Sequence, residues 1–212
     1  MVQKQLATTE PPKKQLWQAI VRAKVAAQAT CLELGDKADG ARMLRAMLPQ
    51  VRSGDTGNVE ATAAQRYFPA LFGADFIRGS DNGANAALNY GYAILRGAMA
   101  RSLAVYGFLP ALGLHHRSSL NSFNLADDLM EPFRPVVDLL VITAFPEDIP
   151  LNPERKQLLF NCLNLDILSG GQRHSVSYAM ERLVQSLGRC LEKSDGKLCL
   201  PELLPLKQHS YE

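Results

Sequence analysis

The segment from Lys13 to Leu34 restricts what this chain can fold into more than any other. Pro11 and Pro12 stand at its head, where a missing backbone N–H costs a helix nothing, and Gly35 closes it. Between them Leu16, Ile20, Ala23, Ala27 and Cys31 recur at steps of three and four, which stacks them on one helical face. A helix this long must bury its stripe against several neighbours, and the rest of the sequence supplies them. The spacing predicts a helix over 38–48 and another from about Asn58, with Asn58 as N-cap and Pro69 ending or kinking it before Gly73. A long one follows over 84–106, where Gly91, Gly97 and Ala98 would let neighbours approach closely. Another covers 124–142, with Pro132 forcing a kink or a restart. Asn152-Pro153 opens a helix to about Leu163, and Gly170-Gly171 separates it from a last helix over Ser175–Lys193. Leu200–Pro205 reads as a turn and residues 1–10 as a polar linker.

No β-hairpin pattern and no repeat stand out. The expected fold is all-α, an irregular multi-helix bundle over residues 11–212. An aromatic share of only 7% beside abundant Ala and Leu points the same way, because β-sandwich cores lean on aromatic and β-branched residues. A net charge of +2 rules out a chain whose composition alone marks nucleic-acid binding, so any basic surface must be local. Cys31, Cys162, Cys190 and Cys199 form no C-x-x-C pair, which excludes zinc-ribbon and redox-motif readings and suits scattered thiols in a reducing cytosol. No apolar run reaches membrane-spanning length, and no secretion signal opens the sequence; the expectation is a cytoplasmic protein.

Chemistry concentrates in Gly113-Leu-His-His-Arg117 and the acidic helix that follows it. Asp128 and Glu131 lie three apart and project to one side. His115 and His116 precede them in a loop able to fold back over that face. Carboxylates with an imidazole form a ligand set for Mg²⁺ or Mn²⁺. Taken alone, the two acids read as an exposed face, where such a pair costs about 0.2–0.5 kcal/mol. In a buried cleft, carboxylates about 5 Å apart repel by about 3 kcal/mol at an effective dielectric near 20, so a cation or a proton is needed. Glu60 is a third acid, on a separate helix among Val59, Ala61, Ala63 and Ala64. An exposed position suits it as well as a buried one that demands a partner. Arg66, Arg117 and Arg134 flank these elements as phosphate-binding candidates or as ordinary ion-pair partners. Trp17 and Tyr67-Phe68 read as core anchors, and His174-Ser175 as a helix start. There is no Walker loop, no G-x-G-x-x-G and no G-x-S-x-G elbow.

Taken in order, Leu16–Lys24, Asn58–Gly73, Leu88–Arg96, Gly113–Arg117 and Phe123–Pro135 resemble the CRISPR-associated endonuclease and integrase family Cas one. The run Asn-Leu-Ala-Asp-Asp-Leu-Met-Glu-Pro-Phe is similar to members from type II CRISPR systems. The likeness covers almost the whole chain with similar gaps, which makes it far more specific than any single motif. It implies a helical catalytic domain in which Glu60, His116 and Glu131 are catalytic metal ligands, Asp128 is a supporting or second-metal acid, and His115 is support. His116 matches the ligand position better than His115 because it directly precedes the short polar loop. The implied cofactor is Mg²⁺ or Mn²⁺. The implied function is insertion of foreign DNA fragments as spacers into a CRISPR array by phosphoryl transfer, with nuclease activity from the hydrolytic or reverse reactions. The implied partners are double-stranded DNA (protospacer and repeat), a second copy of the full-length protein, and the small companion adaptation protein Cas two.

Two features depart from the family pattern. The family's N-terminal β-rich domain, which contributes much of the homodimer interface, has no counterpart in this sequence, which starts at what resembles the interdomain linker. Gln65 stands where many relatives carry a basic residue. Two other functions compete with the leading one: a non-catalytic helical DNA-binding or assembly module, and a divalent-metal hydrolase of small phosphate compounds. Convergence of Glu60, His116 and Glu131 on one cation separates the first from the module, and a basic groove separates it from the hydrolase.

Overall fold

A computed structural model describes residues 1–145, 150–192 and 196–210. Its helices are α1 (Val2–Ala7), α2 (Glu10–Leu34), α3 (Ala38–Met47), α4 (Val59–Phe72), α5 (Gly83–Val105), α6 (Asn124–Met130), α7 (Arg134–Ala144), α8 (Pro153–Phe160) and α9 (Val176–Glu192). Three strands accompany them: β1 (Leu165–Ser169), β2 (Gln172–Ser175) and β3 (Pro201–Gln208). The fold is mostly helical, as the periodicity predicts. The predicted end of the last helix, Lys193, lies outside the described residues.

α2 is the hub. Trp17, Ile20, Val21, Val25, Ala29 and Leu32 are buried along it, a wider band than the predicted stripe, because it packs against α3 and α4 and also against α7 and β3. Burial across this wide band removes apolar area from several directions, at roughly 25 cal/mol per Å². α5 contributes Leu88, Leu95, Met99 and Leu103 to the same core, and α9 contributes Met180, Leu183 and Leu187. At Gly91 an added Cβ would stand 2.4 Å from Val137 Cγ1, so only glycine lets α5 sit this close to α7.

The proline in the acidic helix acts as expected. α6 stops at Met130, Glu131–Phe133 form a single 3₁₀ turn around Pro132, and α7 restarts at Arg134. That turn lies against α2, which carries Glu131 towards Lys24.

Several local expectations need correction. Gly170 and Gly171, at φ +62° and +77°, make the two-residue loop of a β-hairpin in which Ser169 pairs with Gln172. Both loop positions need left-handed backbone, which glycine adopts without a Cβ clash. The Leu200–Pro205 segment is no turn: β3 runs through it and pairs with the other edge of β1, giving the antiparallel order β2-β1-β3. His174 accordingly belongs to β2, and the helix begins one residue after Ser175, whose Oγ accepts from the Tyr178 N–H at 3.3 Å. Residues 1–10 are not a bare linker. α1 docks through buried Gln5, whose Nε2 donates to the Leu109 carbonyl at 3.2 Å while its Oε1 accepts from the Leu109 N–H at 2.8 Å. Asn58 makes no side-chain cap. Asp55 takes that role by accepting from the Val59 and Glu60 N–H groups at 3.0 and 2.9 Å. Pro69 lies inside α4 without ending it.

Candidate functional site

Glu60 sits in the first turn of α4, where the carboxylate of Asp55 caps its backbone N–H. Its own side chain reaches Lys24 of α2, whose Nζ donates to Glu60 Oε1. The same ammonium lies 2.5 Å from Glu131 Oε2. Glu60 and Glu131 therefore meet from different helices, and a buried lysine fills the space between them. Side-chain exposure is 8% for Lys24 and 7% for Glu131, against 28% for Glu60, so the pair opens to solvent on the Glu60 side. Arg134 adds a second cation, with Nε 3.0 Å from Glu131 Oε1. Its guanidinium also stands over the Tyr92 ring, 4.6 Å from the centroid.

The electrostatics follow from this packing. Burial would raise the Glu131 carboxyl, but the Lys24 and Arg134 charges outweigh it and hold the group below the usual range. Burial likewise works against the charged form of Lys24, and the Glu131 and Glu60 charges overcome it and raise its pKa. The Glu131 carboxylate and the Lys24 ammonium are thereby each held in the charged form.

His116 is held from the other side. Asp128 is fully buried and accepts four times: from the Leu114 and His115 N–H groups on Oδ2 at 2.6 and 3.0 Å, and from the His116 N–H and the His116 ring on Oδ1 at 3.2 and 2.6 Å. A carboxylate only accepts, so ring Nδ1 carries the proton and Nε2 of the neutral ring keeps a free lone pair. The hydrogen bond to Asp128 is the main reason the His116 pKa is raised, with the Glu131 charge adding to it. Gly113 permits the tight loop, since an added Cβ would fall 2.2 Å from the His116 carbonyl. Trp17 supports it from α2: the His115 ring stacks on the indole at 4.3 Å, and the His116 ring meets it edge-on at 5.9 Å. Asp127 pins the far end of the loop, taking a bidentate pair from Arg96 at 2.7 and 2.8 Å and the Asn121 amide at 2.7 Å.

The predicted site residues thus divide. Glu60 and Glu131 converge, with the Glu131 charge reaching His116. Asp128 is not placed as a ligand: its oxygens are taken up by four donors, and it orients His116 instead. Arg134 is paired with Glu131 and stands over the Tyr92 ring. Arg117 is exposed and pairs with Glu10 at 2.6 Å, and Arg66 is exposed on α4. A cavity of about 420 Å³ opens beside His116 and Arg117, walled by α1 and the 118–122 loop. Among the described residues no three His, Cys, Asp or Glu side chains stand close enough to hold one ion in this arrangement, and Lys24 lies between Glu60 and Glu131. The donor set still suits a hard divalent cation. Two carboxylates from separate helices already share one cation position, with Glu131 Oε2 2.5 Å from the ammonium.

Lys24 is the residue that the sequence reading passed over. Its signal was its position, four residues after Ile20 and seven before Cys31, a lysine on a face of apolar residues. Asp138 was passed over too. It is buried in α7 and accepts from the phenols of Tyr67 (2.8 Å) and Tyr92, and burial pushes its carboxyl up to about 6.

Residues 1–150 match the family model described as CRISPR associated protein Cas1. The chain belongs to the Cas1 family. It is 49% identical to the CRISPR-associated endonuclease Cas1 of Neisseria meningitidis serogroup C, over 98% of this chain and 70% of that protein. A Cas1 endonuclease of Thermus thermophilus is 35% identical over 58% of this chain and 38% of its own length. Solved structures share the fold. A casposase bound to an integration product superposes with a TM-score of 0.69 at 23% identity, over 88% of this chain and 62% of its own. A partial Cas6-RT-Cas1–Cas2 complex gives 0.76 at 19% identity, covering 96% of this chain and 73% of the other. The matched region spans the positions of Glu60, His116 and Glu131.

Proposed function

We propose that this Cas1-family chain carries the catalytic centre of a divalent-metal-dependent DNA endonuclease and integrase of CRISPR adaptation, inserting foreign DNA fragments as spacers. The observation that carries the reading is the meeting of Glu60 and Glu131, from separate helices, on one cation position, with the Glu131 charge felt at an imidazole that a buried carboxylate aligns. Glu60, Glu131 and Nε2 of His116 are the groups that would hold Mg²⁺ or Mn²⁺. Such an ion would neutralise the attacked phosphodiester and stabilise the leaving oxygen.

The chain's own residues supply the rest. Asp128 fixes the His116 tautomer and ring plane, as second-shell carboxylates do for metal-bound histidines. Arg134 keeps Glu131 ionised. Arg117 and Lys13, on the rim of the cavity beside His116, and Arg66 on α4 offer phosphate contacts. The casposase held on an integration product and the Cas1–Cas2 complexes support double-stranded DNA and a Cas2 protein as partners of the full-length protein. A homodimer of the full-length protein and a cytoplasmic location belong to the same reading, and no described helix is long and apolar enough to cross a membrane.

Strand transfer and cleavage of branched DNA by the full-length protein, with Mg²⁺ or Mn²⁺, test the proposal. Glu60→Ala, His116→Ala and Glu131→Ala should each abolish both reactions while the circular dichroism spectrum stays native. The neutralised acid pair also suits a non-catalytic DNA-binding or assembly module. Metal-independent DNA binding with no cleavage or transfer would favour that module.

A further inference from the structure

We infer that Lys24 is a built-in stand-in for the metal: its ammonium holds Glu60 and Glu131 together in the metal-free protein and must leave before a divalent cation can be held between them. The inference rests on the reading of Glu60 and Glu131 as metal ligands.

The argument is one of space and charge. Nζ of Lys24 lies 2.5 Å from Glu131 Oε2 and also donates to Glu60 Oε1. A magnesium ion held by the same oxygens at about 2.0–2.1 Å would claim the volume where the ammonium now sits. The two cannot occupy it together. Lys24 and Arg134 already offset Glu60 and Glu131, so adding a dication with the ammonium in place would leave the buried cluster with two excess positive charges. Release of the ammonium relieves one of them, and a DNA phosphate would answer the other. Metal and nucleic acid should therefore load together, each strengthening the other. Lysine suits the role because its charge rides on a flexible four-carbon stem, whereas an arginine fork would lock both acids. The partial opening at Glu60, against the burial of Lys24 and Glu131, gives the ammonium a direction in which to withdraw.

Two measurements on the whole chain test this. The first is Mn²⁺ binding without DNA, followed by electron paramagnetic resonance, in wild type and Lys24→Met. The variant should bind Mn²⁺ about tenfold tighter or better, since a competing cation next to the ligands is gone. Binding equal to or weaker than wild type overturns the inference. The second needs no variant and reads displacement directly: reductive methylation of wild-type lysines, quantified at Lys24 by peptide mass spectrometry. Lys24 should be protected in metal-free protein and modified several-fold faster when Mn²⁺ saturates the site. An unchanged rate, with Mn²⁺ bound and its binding lost in Glu131→Ala, overturns the displacement while the metal-site reading stands. Mn²⁺ binding to neither wild type nor variant, with or without DNA, overturns both.

Discussion

The ring Nδ1 of His116 lies 2.6 Å from Oδ1 of Asp128, and the same carboxylate gathers the backbone N–H groups of Leu114, His115 and His116. One buried acid thereby builds both the loop and the orientation of the side chain the loop presents. Asp128→Asn separates the two functions. The amide keeps one accepting oxygen for the backbone, but its NH₂ cannot accept the ring proton, so the imidazole loses its preferred tautomer. Mn²⁺ affinity should fall about 10- to 100-fold, the usual cost of losing a carboxylate behind a ligand histidine. Isothermal titration with Mn²⁺ in the presence of DNA reads it directly. Unchanged affinity would remove Asp128 from the site.

Gly113→Ala tests the loop itself. Its added Cβ would fall 2.2 Å from the His116 carbonyl and 2.9 Å from Asp128 Oδ2, so backbone must move. The expected cost is about 1–3 kcal/mol of stability, typical of overpacking at a site that cannot relax freely. His116 should be displaced with it. Chemical denaturation gives the first quantity, and loss of strand transfer at temperatures where the variant stays folded gives the second.

What could be read from the sequence follows the range of the interactions. The long helices were legible because their cores repeat every three or four residues, and the break at Pro132 because proline removes a donor within the segment itself. The sheet was not: β1 and β2 are short, and β3 joins them from some thirty residues away, so neither shows the alternation that marks a half-buried strand. Gly170-Gly171 was in view and is a strong hairpin signal; the long helical patterns on either side drew it into a linker reading. At the site, Glu60 and Glu131 were nameable as candidates through the family pattern. That Lys24 joins them is a fact of tertiary packing between α2, α4 and the 131–133 turn, and that Asp128 faces four donors is one between α6 and the 114–116 loop. No local spacing encodes them.

Asp138 offers a test of the buried network by pH. Burial raises its carboxyl from 3.8 to about 6 in the folded protein, against the hydrogen bonds from Tyr92 and Tyr67 and the charges of Arg134 and Arg78. A group whose folded pKa is raised stabilises the fold most below its unfolded value, and that contribution is lost as pH rises through the folded one. Stability should therefore drop by about 1 kcal/mol between roughly pH 5 and pH 7 from this residue alone. His116, also raised, acts in the same direction at higher pH. Glu131 and Asp127 are lowered, so their contributions are lost only on acidification. Urea melts across this range should show the decline in wild type and a flatter profile in Asp138→Asn. Equal slopes would mean that Asp138 does not hold a proton in this interval.

Arg117 and Arg134, paired as DNA contacts by the sequence, should now behave oppositely. The Arg134 side chain is 26% exposed and packed between Glu131 and the face of Tyr92, while that of Arg117 is 60% exposed and pairs with the exposed Glu10. Arg134→Met strips one of two cations from a buried carboxylate. Lys24 stays paired with Glu131, so the cost should stay below the roughly 3–5 kcal/mol of a buried pair broken outright. Its defect should appear as lowered stability in urea, before any DNA is added. Arg117→Ala should melt like wild type. Its effect should appear in DNA binding, as weaker affinity at every sequence and a salt dependence shallower by about one counterion. The decisive comparison is the plot of binding constant against salt for Arg117→Ala beside wild type. Parallel lines would place the phosphate path elsewhere and turn attention to Arg66 and Lys13.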